Sequence, residues 1–169
     1  MAISKATTSD VPLLVSLINS AYRGDASRKG WTHEADLFVG NLRTDNSTLT
    51  QIISNPGSVI LKFTEDGCIS GCVFLEKKDR GLYLGLLSVA PELQANGIGK
   101  KLLKAAKLHA VEEDCRLIFL TVISVRRELI SWYERHGYYL TGETSPFPKD
   151  DRFGVPTRSL EFATMEKVV

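Results

Sequence analysis

The stretch "QANGIGKKLL", residues 94–103, places Gly97 and Gly99 immediately before a segment with helical character. Glycine inside a helix costs about 0.5–1 kcal/mol relative to alanine, so its use here needs a reason. The first N–H groups of a helix lack partners within the helix and carry partial positive charge. Glycines would let an anion reach these groups with no Cβ in the way. The stretch therefore predicts a phosphate site, although two glycines also suit a purely structural turn.

Composition and motif spacing exclude several other classes of protein. The chain lacks both the GxGxxG spacing of dinucleotide binding and the GxxxxGK[ST] of Walker-type nucleotide hydrolysis. Its three cysteines show no CxxC spacing, which disfavours a metal or disulfide framework. With 43% hydrophobic residues, 24% charged residues and a net charge of +1, the composition is that of an ordinary soluble protein. It indicates no attraction to nucleic acid or to an acidic membrane.

Length and termini set expectations for organisation and compartment. The 169 residues fit one domain spanning 1–169. The first residues, "MAISKATTSD", contain no apolar segment of the signal-peptide type, and no apolar run approaches the length of a membrane span. We therefore expect a cytoplasmic protein.

The order of elements predicts the fold class. A strand at "ISKAT" precedes a helix at "SDVPLLVSLINSAY", which has Pro12 in its first turn. We expect a second helix at "HEADLFVGNLR", capped by Thr32, and a third at "STLTQIIS". Three strands joined by hairpin turns follow, then a helix after the glycines, a buried strand, a helix ending at Gly137 and two last strands. This order favours a mixed α/β (α+β) domain over a doubly wound sheet.

Two longer motifs give the chain a family resemblance. "LLSVAPELQANGIGKKLL" resembles the acetyl-CoA signature of the GNAT superfamily of N-acetyltransferases, through Leu87, Val89, Pro91, Gln94, Gly97 and Gly99. "LISWYERHGYY" is similar to the second motif of that superfamily, a helix ending in a tyrosine and then a glycine-aromatic pair, through Tyr133, Gly137 and Tyr138. The element order agrees with the family over nearly the whole chain.

The resemblance implies a fold and a cofactor. The fold would be a single domain with a central, mostly antiparallel sheet of about seven strands, helices on both faces and a splay between strands 4 and 5. Acetyl-CoA would enter this splay as cosubstrate, with no metal. Its pyrophosphate would lie on backbone N–H groups contributed by Gln94, Ala95, Asn96, Gly97, Ile98, Gly99 and Lys100. Its pantetheine arm would pair with Leu87, Ser88 and Val89, and an N–H near Leu87 or Val89 would polarise the acetyl carbonyl.

The resemblance also assigns catalytic roles and exposes departures from the family. Tyr133 stands at the position of the general acid, and an ordinary tyrosine pKa of about 10 keeps it protonated at neutral pH. Histone-type members carry a glutamate where this chain has Tyr83, so a histone acetyltransferase is disfavoured. A water relay, or a carboxylate or imidazole from another element, must then act as base. Glu34 and His33 are candidates because the first two helices usually border the acceptor site.

Several further residues are open to two interpretations. Arg126 replaces the asparagine with which many members contact CoA. It could bind a phosphate or the acceptor, or pair with Glu128 or another acid. The loop aromatics Trp31, Phe147 and Phe153 could form walls of the acceptor site or serve only local packing.

The expected function is acetyl transfer from acetyl-CoA to a primary amine of a small molecule or peptide. The alternative is a non-catalytic CoA-binding or regulatory module with the same fold. The expected partner is the amine acceptor, with a second copy of the chain in a homodimer as an open alternative, and neither nucleic acid nor membrane. The sequence leaves open the acceptor, the base, the oligomeric state and the preferred acyl group.

Overall fold

A computed structural model describes residues 2–148 and 151–169. Besides three short 3-10 turns, the described residues form five α-helices: α1 Val11–Tyr22, α2 Gly24–Ser27, α3 Asn46–Ser54, α4 Ile98–Glu112 and α5 Arg127–Arg135. They also form nine strands: β1 Ala2–Lys5, β2 Phe38–Val39, β3 Ser58–Glu65, β4 Cys68–Lys77, β5 Leu82–Val89, β6 Leu117–Ile123, β7 Tyr139–Pro146, β8 Val155–Pro156 and β9 Glu161–Val168.

Seven of these strands form the central sheet, in the order β1-β3-β4-β5-β6-β9-β7. All neighbouring pairs are antiparallel except β5 and β6, which run parallel because α4 crosses over between them. The prediction of a mostly antiparallel sheet of about seven strands is confirmed. The short strands β2 and β8 pair with each other outside this sheet.

Helices cover both faces of the sheet, as predicted, because successive strand residues point to opposite sides. On one face, α1 and α3 pack on β3 and β4 through a cluster that includes Leu14, Ile18 and Leu49. On the other face, α4 and α5 pack on β3 to β6 through a larger cluster that includes Leu102 and Ile130. None of the helices in the described part of the chain has the length and apolarity needed to cross a bilayer.

The helix predicted at "HEADLFVGNLR" is wrong. These residues form turns, the short strand β2 and loop, because their backbone groups bond to other segments. The N–H of Glu34 donates to the carbonyl of Tyr22 at 2.7 Å, and the carbonyl of Leu37 accepts from the N–H of Thr157 at 2.8 Å. Thr32 caps no helix, and its hydroxyl accepts instead from Gln94 at 2.8 Å. Tertiary contacts have overridden a helical sequence pattern.

The predicted splay lies between β5 and β6, the fourth and fifth strands of the central sheet in chain order. These two strands pair only at Leu82 with Ile118 and Tyr83 with Phe119. Just beyond, the register between β4 and β5 shifts, and Leu86 adopts a left-handed φ of +49°. Such a bulge bends the strand. The edge of β5 from residue 84 to residue 89 therefore has no strand partner on its β6 side.

Close packing between α4 and the sheet requires glycine at position 71 of β4. A Cβ there would lie 2.9 Å from Ile98 Cγ2 and 3.2 Å from the carbonyl oxygen of Ser88. We expect Gly71→Val to lower the free energy of unfolding by about 1–3 kcal/mol through overpacking. Urea denaturation measures this loss.

Gly57→Val is the matched control, because a Cβ at position 57 would meet only Asn55 Oδ1, at 3.6 Å. We expect this exposed substitution to change the free energy of unfolding by about 0.5 kcal/mol or less. Equal losses in the two variants would show that the contact between α4 and the sheet is not tight at Gly71.

Candidate functional site

A cavity of about 550 Å³, which we call the front cleft, lies beside the end of β5, where β5 no longer pairs with β6. Its walls come from the end of β5, the glycine turn before α4, one face of α5 and the loop after α2. The lining residues include Tyr22, Trp31, Leu87, Val89, Gln94, Gly97, Gly99, Lys100, Arg126, Trp132, Tyr133 and Arg135.

The glycine turn forms a cradle for an anion at one end of the front cleft. Gly97 has a left-handed φ of +84°, and a Cβ on it would meet no atom within 4 Å. The backbone N–H groups of residues 97–100 make no backbone hydrogen bond among the described residues, as expected for the start of a helix. Lys100 and Arg135 line the same cleft and add positive charge. This arrangement suits a phosphate group.

Gly99 also has a packing role that the sequence did not reveal. The sequence suggested that this glycine clears the way for an anion. In the structure, a Cβ at Gly99 would lie 3.1 Å from the indole of Trp132. Gly99 therefore allows α5 to pack against the start of α4, and the indole of Trp132 forms part of the cleft wall.

Gln94 acts through its side chain as a clamp. Its Oε1 accepts hydrogen bonds from the N–H groups of Trp31 at 2.8 Å and Thr32 at 3.2 Å. Its Nε2 donates to the hydroxyl of Thr32 and, at 3.0 Å, to the carbonyl of Val89. The clamp leaves no room for a side chain at Gly30, where a Cβ would lie 2.2 Å from Gln94 Oε1. It fixes the loop after α2 to the end of β5.

Tyr133 lies where the front cleft meets a second cavity. Its side chain is 6% exposed and packs edge-on against Trp132 and Tyr138, with ring centroids 5.1 Å and 5.5 Å away. Its hydroxyl makes no hydrogen bond with any described residue and is open to the cavities. Burial, with smaller contributions from Tyr22 and Tyr138, holds the pKa of Tyr133 well above its usual value. The hydroxyl therefore stays protonated and free to donate.

Two smaller cavities, of about 100 Å³ and 200 Å³, lie on the opposite side of Tyr133 from the glycine turn. They share the lining residues Glu34, Arg43, Ile123 and Phe162, and we call them together the rear chamber. The rear chamber shares Tyr22, Leu87, Arg126, Leu129 and Tyr133 with the front cleft. A molecule in the rear chamber and one in the front cleft would therefore meet at Leu87 and Tyr133.

Tyr22, from the end of α1, fixes the backbone at this meeting point. Its hydroxyl donates to the carbonyl of Leu87 at 2.5 Å, next to the bulge. Burial raises the pKa of Tyr22 to about 12, so the hydroxyl remains a donor. The hydrogen bond sets the orientation of the peptide that follows Leu87 on the unpaired edge of β5.

A buried ion network holds Glu34 between two arginines. Glu34 Oε1 accepts from Arg23 Nε at 3.0 Å, and Glu34 Oε2 lies 3.4 Å from Arg126 Nη1. Arg126 also donates to the carbonyls of Thr32 and His33. All three charged side chains are less than a tenth exposed. The network joins α1, the loop after α2 and the start of α5.

The predicted site residues separate into two groups in space. The turn of residues 94–100, the end of β5 and Tyr133 come together around the front cleft, although Ser88 and Asn96 do not line it. Trp31 lies beside Trp132 on that side, with ring centroids 6.2 Å apart. Phe147 and Phe153 line the rear chamber.

The candidates for base and phosphate ligand have other partners in the structure. Glu34 lines the rear chamber, but both of its oxygens face guanidinium groups. Arg126 pairs with Glu34 and not with Glu128. The imidazole of His33 lines neither the front cleft nor the rear chamber, and its Nδ1 accepts from the N–H of Ala35 at 3.2 Å.

Sequence reasoning missed Tyr22, Arg43 and Trp132 as site residues. Tyr22 and Arg43 reach the site only through packing against segments distant in the chain. Trp132 had a local signal, since it precedes Tyr133. Among the described residues, no group of three or more metal-binding side chains is placed to hold an ion.

Comparison with known proteins gives a family match and close structural similarity. The sequence model of the acetyltransferase (GNAT) family matches residues 18–138. Ribosomal-protein-alanine N-acetyltransferase from Brucella melitensis superposes with a TM-score of 0.75 at 20% identity, over 100% of both chains. The ribosomal-protein-S18-alanine N-acetyltransferase from Escherichia coli gives 0.72 at 15% identity, over 99% of this chain and 93% of that one. YncA from Salmonella typhimurium, solved with its cofactor acetyl-CoA, gives 0.72 at 18% identity, with the same coverage.

The position of Glu34 leads to a prediction about stability. Glu34→Gln removes the carboxylate and leaves two buried guanidinium groups without their counterion. Breaking a buried pair in this way typically costs about 3–5 kcal/mol. We expect a loss of that order in the free energy of unfolding, measured by urea denaturation.

Glu143→Gln serves as the control, because Glu143 pairs with Arg80 at the surface, where solvent screens the charges. We expect a much smaller loss in this variant. If the two substitutions destabilised the protein equally, Glu34 would not be the centre of a structural network, and its candidacy as the base would be strengthened.

Proposed function

Because this chain belongs to the acetyltransferase (GNAT) family, we propose that it transfers an acetyl group from acetyl-CoA to a primary amine of a small molecule or peptide. The observation that carries the proposal is the shared wall of the two cavities. The hydroxyl of Tyr133 opens between an anion cradle on one side and a second chamber on the other. A transferase with two substrates needs such a meeting point.

The residues of the front cleft fit acetyl-CoA. The unpartnered N–H groups of residues 97–100 would hold its pyrophosphate, with Lys100 and Arg135 contributing charge. The unpaired edge of β5 would bind the pantetheine arm through backbone hydrogen bonds, because such an edge accepts an added strand. Gln94 would contribute indirectly, since its side chain holds the cleft wall in place.

Acetyl-CoA supplies an activated thioester when bound, and the protein must orient it and stabilise charge. In the transfer, a C–N bond forms, the C–S bond breaks, the amine loses one proton and the sulfur gains one. A backbone N–H near Leu87 or Val89 would donate to the acetyl oxygen as negative charge develops on it. The hydrogen bond from Tyr22 to Leu87 would hold this part of the backbone in place.

Tyr133 would act at the sulfur. Its raised pKa keeps the hydroxyl protonated. We therefore assign Tyr133 the role of a general acid that gives its proton to the sulfur as the C–S bond breaks. Tyr133 would then recover a proton from water in the cleft. The proton lost by the amine would leave through water in the rear chamber, because both oxygens of Glu34 are held by arginines.

The second candidate is a non-catalytic CoA-binding or regulatory module. Two observations favour it: Tyr83 stands where histone-type members carry a glutamate, and Glu34 is occupied. Release of free thiol from acetyl-CoA in the presence of a panel of amines separates the two candidates. Amine-dependent release supports the enzyme, whereas CoA binding without release with any amine supports the module.

The phosphate cradle is tested by Gly97→Val. The substitution would place methyl groups in the open space before the free N–H groups. We expect CoA affinity, measured by calorimetric titration, to fall at least tenfold, because the backbone can no longer approach the phosphate. Gly67→Val is a close control, since Gly67 has a similar φ of +76°, no neighbour within 4 Å, and lies in a distant hairpin. Unchanged affinity in folded Gly97→Val, or an equal fall in both variants, would contradict the assignment.

The role of Tyr133 is tested by Tyr133→Phe. The variant keeps the ring and its packing but removes the donor, so we expect near-normal CoA affinity and a kcat reduced by about 10²-fold. The loss should shrink with acetyl donors whose thiols are more acidic, because a better leaving group needs less stabilisation. Tyr138→Phe is the control, being a buried tyrosine 5.5 Å away that lines neither cavity. A wild-type kcat in Tyr133→Phe, with chemistry limiting turnover, would remove Tyr133 from the mechanism.

A further inference from the structure

Among the described residues, Arg43 is the one arginine of the rear chamber whose guanidinium has no ion-pair or hydrogen-bond partner. Arg23 bonds to Glu34 and to the carbonyls of Leu42 and Phe153. Arg126 is held by Glu34 and two carbonyls. The guanidinium of Arg43, by contrast, forms no ion pair or hydrogen bond within residues 2–148 and 151–169.

The Arg43 guanidinium faces an aromatic ring and is repelled by the nearby charge of Arg23. It lies 5.7 Å from the centroid of the Tyr22 ring. A guanidinium group carries five N–H donors in a planar fork, which matches the two oxygens of a carboxylate. In Arg43, this fork borders both cavities of the rear chamber, and its donors are available to a ligand.

The charge of the rear chamber favours an anion. Its described lining contains three guanidinium groups and one carboxylate, that of Glu34. Glu34 faces Arg23 and Arg126, so it leaves the charge of Arg43 uncompensated. A charge in a partly enclosed site interacts more strongly with a counterion than it does in open water. The same excess would repel an acceptor that carries several ammonium groups.

The apolar walls of the rear chamber are largely aliphatic in its smaller cavity and largely aromatic in its larger one. Phe147, Phe153 and Phe162 line its larger cavity. The ring of Phe147 contacts those of Phe162 and Phe38, with centroids 5.0 Å and 5.3 Å away. A volume of about 200 Å³ with such walls accommodates an apolar group of side-chain size.

We propose that the acceptor is a primary amine that also carries a carboxylate and an apolar side chain, as an α-amino acid does. This inference rests on the proposed acetyl transfer. The carboxylate binds to Arg43, the apolar group lies among the phenylalanines, and the amine points to Leu87 and Tyr133, where the chamber meets the front cleft. Arg43 is thus a specificity-determining residue.

The experiment compares acceptors that differ only in the carboxylate. L-Phenylalanine is paired with 2-phenylethylamine, and L-leucine with 3-methylbutylamine, in thiol-release assays with acetyl-CoA. For each pair, the ratio of kcat/KM for the amino acid to kcat/KM for the decarboxylated amine is measured in the wild type and in Arg43→Gln. Taking the change in this ratio cancels the intrinsic reactivity of the amines and any general loss of active protein.

We expect the wild type to prefer the amino acids and Arg43→Gln to lower the ratio about 10- to 100-fold, mainly through KM, as the loss of a charge-assisted hydrogen bond predicts. Arg116→Gln is the control and should leave the ratio unchanged. Arg116 is exposed, lines neither cavity and lies just before β6, at the end opposite the chamber.

Two results would overturn the inference and leave acetyl transfer intact. One is that only amines without a carboxylate are acetylated, and the other is that Arg43→Gln leaves the ratio unchanged. Failure of every amine, together with no binding of CoA in a calorimetric titration, would overturn the proposed function, and the inference with it.

Discussion

The structure depends on the short pairing between β5 and β6. The two strands join for two residues each and then part, because the bulge at Leu86 turns β5 away. Buried backbone groups without partners are costly, so the open edge of β5 needs hydrogen bonds from a ligand or from water. The candidate functional residues lie around this opening. The glycine turn lies at the end of β5, and Tyr133 projects from α5 into the gap.

One wall of the front cleft is formed by the loop after α2, and this loop is fixed to the rest of the protein at two points. Gln94 ties the loop after α2 to the end of β5, and the pairing of Glu34 with Arg126 ties it to the start of α5. The side chains of Gln94, Glu34 and Arg126 are therefore already bonded within the protein, although the sequence made them candidates for binding the substrates. The front cleft and the rear chamber share the lining residues Tyr22, Leu87, Arg126, Leu129 and Tyr133, so ligands in the two cavities would meet beside them.

Local patterns in the sequence predicted the framework, while the details of the rear chamber depended on long-range contacts. The glycine turn and the helix of Tyr133 are encoded within short stretches, and the family motifs place them correctly. The helix expected at "HEADLFVGNLR" does not form, because the N–H of Glu34 bonds to the carbonyl of Tyr22 instead. The hydrogen bond from Tyr22 to Leu87 joins residues 65 positions apart. The single-residue patterns that sequence reasoning uses carry no signal for such a contact.

Amide hydrogen exchange, followed by mass spectrometry with and without acetyl-CoA, measures directly whether the unpaired edge of β5 and the free N–H groups of residues 97–100 bind acetyl-CoA. If they do, we expect slower exchange at residues 84–89 and 97–100. The distant hairpin at Asp66 and Gly67 should show no change and acts as an internal reference. Protection confined to other segments, or none at a saturating concentration of acetyl-CoA, would contradict this assignment.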